Sequence, residues 1–152
     1  YTLSLHDALP ILQRFIDAQK NNYDQALKEI KNGCKVSHWM WYIFPQIKGL
    51  GHSSTAVYYA IDSLDEAKEY LQNPILNKRL FEISNALLEL KNNNPVIILG
   101  YPDNLKLQSS MTLFYVASKN KVFKQVIDKF YDGQFDKNTL RIIGIETNSD
   151  LQ

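Results

Sequence analysis

The stretch SHWMWYIFPQIKGLGHS, residues 37–53, gathers side chains that together could hold a small ligand. Ser37, His38 and Gln46 bring hydrogen-bonding groups, Trp39 and Trp41 bring stacking faces, and the turn from Gly49 through Gly51 to Ser53 lets main-chain amides face outward. A helix opening at Ser53 or Ser54 and running through Ala56, Val57 and Ala60 would add its positive end, so the pattern predicts affinity for a phosphate or carboxylate. A second polar cluster lies in DNLKLQSSMTLF, where Lys106, Ser109 and Ser110 share one predicted helical face opposite Leu107, Met111 and Phe114. Ser109, Ser110 and Thr112 are poor helix formers, and a merely solvated face would more often carry Glu, Lys or Gln. Three small hydroxyls therefore imply close contact with something.

Other chemistries fit less well. Ser53 or Ser110 can be combined on paper with His38 or His52 and an aspartate, but nothing in their spacing brings them together as a nucleophilic triad. Cys34 follows a predicted helix C-terminus, the wrong end of the dipole to stabilise a thiolate. His38 and His52 lie fourteen positions apart without a neighbouring carboxylate pair, so no metal site is expected. The glycine turn is shorter than a dinucleotide fingerprint and follows no clear strand, which argues against Rossmann and P-loop sites, and no cofactor is expected. The aromatic stretch also has a plain packing interpretation, in which Trp39, Trp41, Ile43 and Phe44 fill the core, Pro45 ends a short helix and His38 is satisfied by a backbone carbonyl.

The elements that must position these residues are helices. Leu12, Phe15, Ile16 and Gln19 have the spacing of one helical face. In NNYDQALKEIKNG, Asn22 is the expected cap, Gln25 closes its capping box, and Asn32-Gly33 gives a left-handed stop. Ser63 and Glu66 form a second capping box, and Asn73-Pro74 opens the longest helix, with Leu76, Leu80, Ile83, Leu87 and Leu90 as the expected spine of the core. Residues 95–99 read as helical or irregular. Asp103 is expected to cap a helix through Leu107 to Ala117, Phe123 to Phe130 form another that stops at Gly133, and Asp136 caps a last short one. The result is an all-α, single-domain bundle of about six short amphipathic helices over residues 12–144, with one long aromatic-rich connection at 35–62 and a frayed tail at 145–152. Residues 1–11, YTLSLHDALPI, follow no capping or periodic logic and resemble translated sequencing-adapter sequence, so the natural chain is expected to begin near Leu12.

Bulk composition sets the class of protein. The 152 residues are 45% hydrophobic and 22% charged, with 6 Gly and 5 Pro, a globular balance. Seventeen basic against sixteen acidic residues give a formal charge of +1, too even for nonspecific binding to a nucleic acid duplex. No apolar run approaches the roughly eighteen residues of a membrane span. A single cysteine, unable to form an internal disulfide, fits a reducing cytoplasmic setting. Oligomeric state is left open.

Four segments, GCKVSHWMWYIFPQIKGLGHS, EAKEYLQNPILNKRL, KLQSSMTLF and FYDGQFDKNTL, together resemble the bacterial domain-of-unknown-function family numbered 1810, from about Leu12 to Leu140. Members of that family are sometimes labelled calpastatin, a name at odds with this globular composition. The resemblance implies a mainly helical single domain and no established activity. A fainter similarity, in the order of features alone, is to the NADAR family of ADP-ribose-linked N-glycosidases. N-glycosidic hydrolysis would need a carboxylate, an aromatic plate and a phosphate cradle. Here Asp103 or Asp136, Trp39 or Trp41, and Lys106 with the amides from Gly49 to Ser53 could supply them. The favoured reading is binding or hydrolytic processing of a nucleotide-like, ADP-ribose-type anionic small molecule. The alternative is a non-enzymatic helical interaction module. A ligand site requires His38, Trp39, Gln46, Lys106 and Ser110 to converge on one pocket, whereas a module leaves them scattered or fully packed.

Overall fold

The computed structural model describes residues 5–145 and Leu151, with side chains from residue 11 onward. The rest of the expected tail, and the first four residues of the adapter-like segment, lie outside the described residues. Among the described residues ten helices follow in order: α1 (Leu5–Lys20), α2 (Tyr23–Lys31), α3 (Met40–Ile43), α4 (Ser54–Tyr58), α5 (Leu64–Gln72), α6 (Pro74–Glu89), α7 (Pro95–Leu99), α8 (Asp103–Ser118), α9 (Lys121–Tyr131) and α10 (Lys137–Ile142). The all-α expectation holds. The last short helix capped by Asp136 is present as α10, and the count exceeds six because α3, α4 and α7, of four or five residues each, are too short for periodicity to settle and stay open readings in the sequence.

Several helix starts follow from local chemistry. The Ser63 hydroxyl accepts from the Glu66 amide at 3.1 Å. Asn73 accepts from the Ile75 and Leu76 amides with Pro74 at the first helical position, and Asp136 Oδ2 accepts from the Thr139 amide at 3.0 Å. Two expected caps fail. Asn22 stands at the N-cap position of α2, but its side-chain amide turns back to donate to the Ala18 carbonyl in α1 instead of capping, and Gln25 reaches down the helix to Glu29. Asp103 is the first residue of α8 and makes no cap, its carboxylate being taken by two lysines.

The core has two centres. α6 packs against α1, α2, α5 and α9 through Leu76, Leu80, Ile83 and Leu87, as its pattern predicts. α8, equal to it in length, packs against α5, α7, α9 and α10 and is buried almost all round, from Leu107 through Phe114. The expectation of a polar face on α8 opposite an apolar one is therefore corrected: a helix enclosed by four others has no solvent face to reserve. The aromatic connection is tied down by an isolated parallel bridge, Ile47 to Ile61, in which the Ile61 amide donates to the Gln46 carbonyl and the Lys48 amide to the Ile61 carbonyl, both at 2.8 Å. At the far end, the Ile145 amide donates to the Leu140 carbonyl, and the Tyr115 hydroxyl donates to the carbonyl of the buried Leu151.

Candidate functional site

Glu29 organises the start of the aromatic segment. Its carboxylate is 3% exposed and takes five hydrogen bonds. Oε1 accepts from the Val36 and Ser37 amides and the Trp39 indole, and Oε2 accepts from the Ser37 hydroxyl and the Gln25 amide, all between 2.7 and 3.0 Å. Burial pushes the pKa of this acid up, but the Ser37 and Val36 amides with the Gln25 and Ser37 side chains outweigh it and hold the pKa at about 2. Trp39 is thereby fixed in the core at 1% exposure, packed on Phe44. This corrects its assignment to a ligand surface; the indole N–H is satisfied internally and the ring is shut off from solvent.

A chain of charge leads outward from there. The Lys35 ammonium lies 5.1 Å from the Trp39 ring and 2.9 Å from Asp103 Oδ2, with its side chain only 8% exposed. The other carboxylate oxygen of Asp103 is 3.4 Å from the Lys106 ammonium, which stands 5.1 Å from the half-buried ring of Trp41. Asp103 is thus an anion between two cations, and it does not line the groove described next.

Five of the twelve residues picked out in the sequence share one groove of about 400 Å³: Gln46 and Gly51 from the aromatic segment, Lys106 and Ser109 from α8, and Asp136 at the start of α10. Leu50, Pro102, Leu105 and Asn138 complete its wall. Trp41 lies behind it in a small cleft that also borders Gln46 and Gly51. The remaining candidates stand elsewhere. His38 is exposed and away from the groove, its carbonyl accepting from the Tyr42 hydroxyl at 3.4 Å. Ser110 is fully buried, its hydroxyl without a partner among the described residues. Ser53 caps α4 by accepting from the Ala56 amide at 3.1 Å. Gly49 adopts φ +107, a conformation reserved for glycine, beside Ile142.

The contact that the small hydroxyls of α8 implied is with α10. The Asp136 amide donates to Thr112 Oγ1 at 2.9 Å, and Asp136 Oδ2 lies 3.0 Å from Ser109 Oγ while also capping Thr139. Gly51 is explained by packing rather than by an outward amide: a Cβ there would stand 2.6 Å from that of Ala56. Gly51→Ala should therefore lower stability by about 2 kcal/mol through overpacking of α4 against the groove wall, read as a drop in the denaturation midpoint at unchanged m-value.

No motif or spacing marked Glu29, Lys35 or Asn138 as part of a site. Glu29 and Lys35 look like ordinary surface charges until their partners are known, and Asn138 became part of the groove only because α10 is docked by its cap. Among the described residues no cluster of three or more His, Cys, Asp or Glu could hold a metal, and no helix is long and apolar enough to cross a membrane.

Comparison with known proteins agrees with this architecture. Residues 10–143 match the family described as "Protein of unknown function (DUF1810)". The conserved hypothetical protein Rv1873 from Mycobacterium tuberculosis, known from a crystal structure at 1.38 Å, is 41% identical and superposes with a TM-score of 0.86 over 89% of this chain and 97% of that one. No curated protein matches. A helical chain matched over 134 positions by one family, with a solved relative of the same fold at that identity, belongs to the DUF1810 family.

Proposed function

We propose that the groove between the aromatic segment and α8 binds a small, anionic, nucleotide-like molecule. The observation that carries this reading is the meeting of Gln46 and Gly51 with Lys106, Ser109 and Asp136 around a single volume of about 400 Å³, a size suited to a small ligand. Lys106 would meet a phosphate, trading its long contact with Asp103 for a shorter one. Gln46 and Asn138 supply amides for base or sugar edges, while Leu50, Pro102 and Leu105 offer apolar surface. Binding is favoured over hydrolysis by the state of the two carboxylates. Asp103 is neutralised by Lys35 and Lys106, and Asp136 Oδ2 is occupied by Ser109 and Thr139, so only Asp136 Oδ1 is left to address a water.

A thermal-shift panel of nucleotides, ADP-ribose and its derivatives tests the reading. A ligand at a hundred times its dissociation constant should add roughly 2.7 kcal/mol to the folded state, and Lys106→Gln should weaken it about tenfold. Chromatography of the same mixtures, with Asp136→Asn beside the parent protein, separates hydrolysis from binding. Silence across the whole panel would overturn the reading in favour of an interaction module, for which Val36, Ile97 and Tyr101 provide exposed apolar surface.

A further inference from the structure

A second groove, of about 460 Å³, shares no residue with the first. It lies where the end of α1 and the start of α2 meet the first turns of α6, and is edged by three cations, Lys20, Lys78 and Arg79, and two acids, Asp24 and Glu82. The spacing within α6 makes the arrangement unusual. Glu82 stands four residues after Lys78 and three after Arg79, the separations at which helix ion pairs form. Neither pair forms. Glu82 instead accepts from the Tyr23 hydroxyl at 2.5 Å, and among the described residues Lys20, Lys78 and Arg79 make no ion pair.

Arg79 is also held in place. Its guanidinium stands 5.6 Å from the Tyr23 ring, and Nη1 donates to Gln19 Oε1 at 3.4 Å. Gln19 is itself buried and anchored, its amide donating to the Tyr42 carbonyl at 2.7 Å and the Tyr70 hydroxyl at 3.0 Å. A planar fork fixed on one side, with most of its N–H donors unused inside the protein, is pre-organised for an oxyanion. Two flexible ammonium groups at the same groove match the multiple charge of a phosphate better than the single charge of a carboxylate.

We propose that this groove is a binding site for the phosphate group of a small molecule, held by Arg79 with Lys78 and Lys20, independent of the ligand assigned to the first groove. The bond from Tyr23 to Glu82 is what leaves Lys78 and Arg79 without their expected helix partner.

The test is an NMR titration of the full chain with inorganic phosphate and a simple phosphate monoester at constant ionic strength, with acetate as the carboxylate control. Saturable amide shifts at residues 20–24 and 74–82 are expected for both phosphates, followed separately from any at the first groove, with weaker ones for acetate. Arg79→Lys should weaken phosphate binding about tenfold through loss of the planar fork. Lys78→Gln, at an exposed position, should weaken it several-fold, and Lys106→Gln should leave the affinity read at residues 20–24 and 74–82 unchanged. Shifts that rise linearly without saturating, shifts spread evenly over the surface, or equal affinity in Lys78→Gln and the parent protein would each overturn the proposal. Because Lys106→Gln is read in the same experiment, failure here is separable from failure of the first groove.

Discussion

Glu29→Ala should lower stability by about 3 kcal/mol, because it strands the buried Trp39 indole N–H, removes the acceptor of the part-buried hydrogen bonds from Val36, Ser37 and Gln25, and opens a void beneath them. Glu29→Gln keeps the volume and one acceptor oxygen, and should cost about half as much. The acid limb of the stability curve gives an independent check. The folded pKa of about 2 lies below the ordinary value of 4.5, so between those two pH values the unfolded chain binds more protons than the native one. The contribution is therefore complete above pH 4.5 and fades as pH falls toward 2, amounting to about 3 kcal/mol. Denaturant midpoints measured across that window should fall steeply in the parent protein and less steeply in Glu29→Gln. Equal acid limbs in the two proteins would mean that this carboxylate is not the buried anchor its contacts describe.

Asp103→Ala should cost about 3 kcal/mol, because it leaves the Lys35 ammonium enclosed at 8% exposure without its counter-ion. Asp103→Asn retains one acceptor and should cost about 1–2 kcal/mol. Pairing Lys35→Met with Asp103→Ala should recover much of the loss, since the double variant no longer encloses an unpaired charge, and the coupling can be read from a double-mutant cycle. A reactive carboxylate behaves in the opposite way: its removal leaves stability unchanged or raises it while abolishing turnover. A stable Asp103→Ala protein that had lost activity on a nucleotide-like substrate would thus restore Asp103 to the chemistry and remove it from the scaffold.

These two residues show how the site is held. Glu29 draws the backbone of residues 36 and 37 and the Trp39 indole onto α2, and Lys35 emerges from the same anchored segment to clamp Asp103 at the first turn of α8. Asp103 in turn steadies Lys106, which lines the groove. The groove thus inherits its shape from a buried acid that never touches it.

Local chemistry explains what the sequence determined by itself. The stripe of α6, the Ser63, Asn73 and Asp136 caps and the proline opening α6 rest on residues within four positions of one another, so spacing alone settles them. The same holds for the pointer to close contact at Ser109 and Thr112, where poor helix formers needed a reason to be there. The nature of that contact was hidden, because Asp136 lies 24 and 27 positions further on. Trp39 and Trp41, two positions apart and alike in type, go to the core and to the edge of the cleft for reasons no local rule contains. The five donors around Glu29 include two backbone amides, which every non-proline residue possesses and no sequence pattern marks. Which of the polar candidates share one cavity, and that Ser110 faces the interior while Ser109 meets the groove, was decided only when four helices closed around α8. Burial of a given face depends on what packs against it, and that is a property of the whole chain.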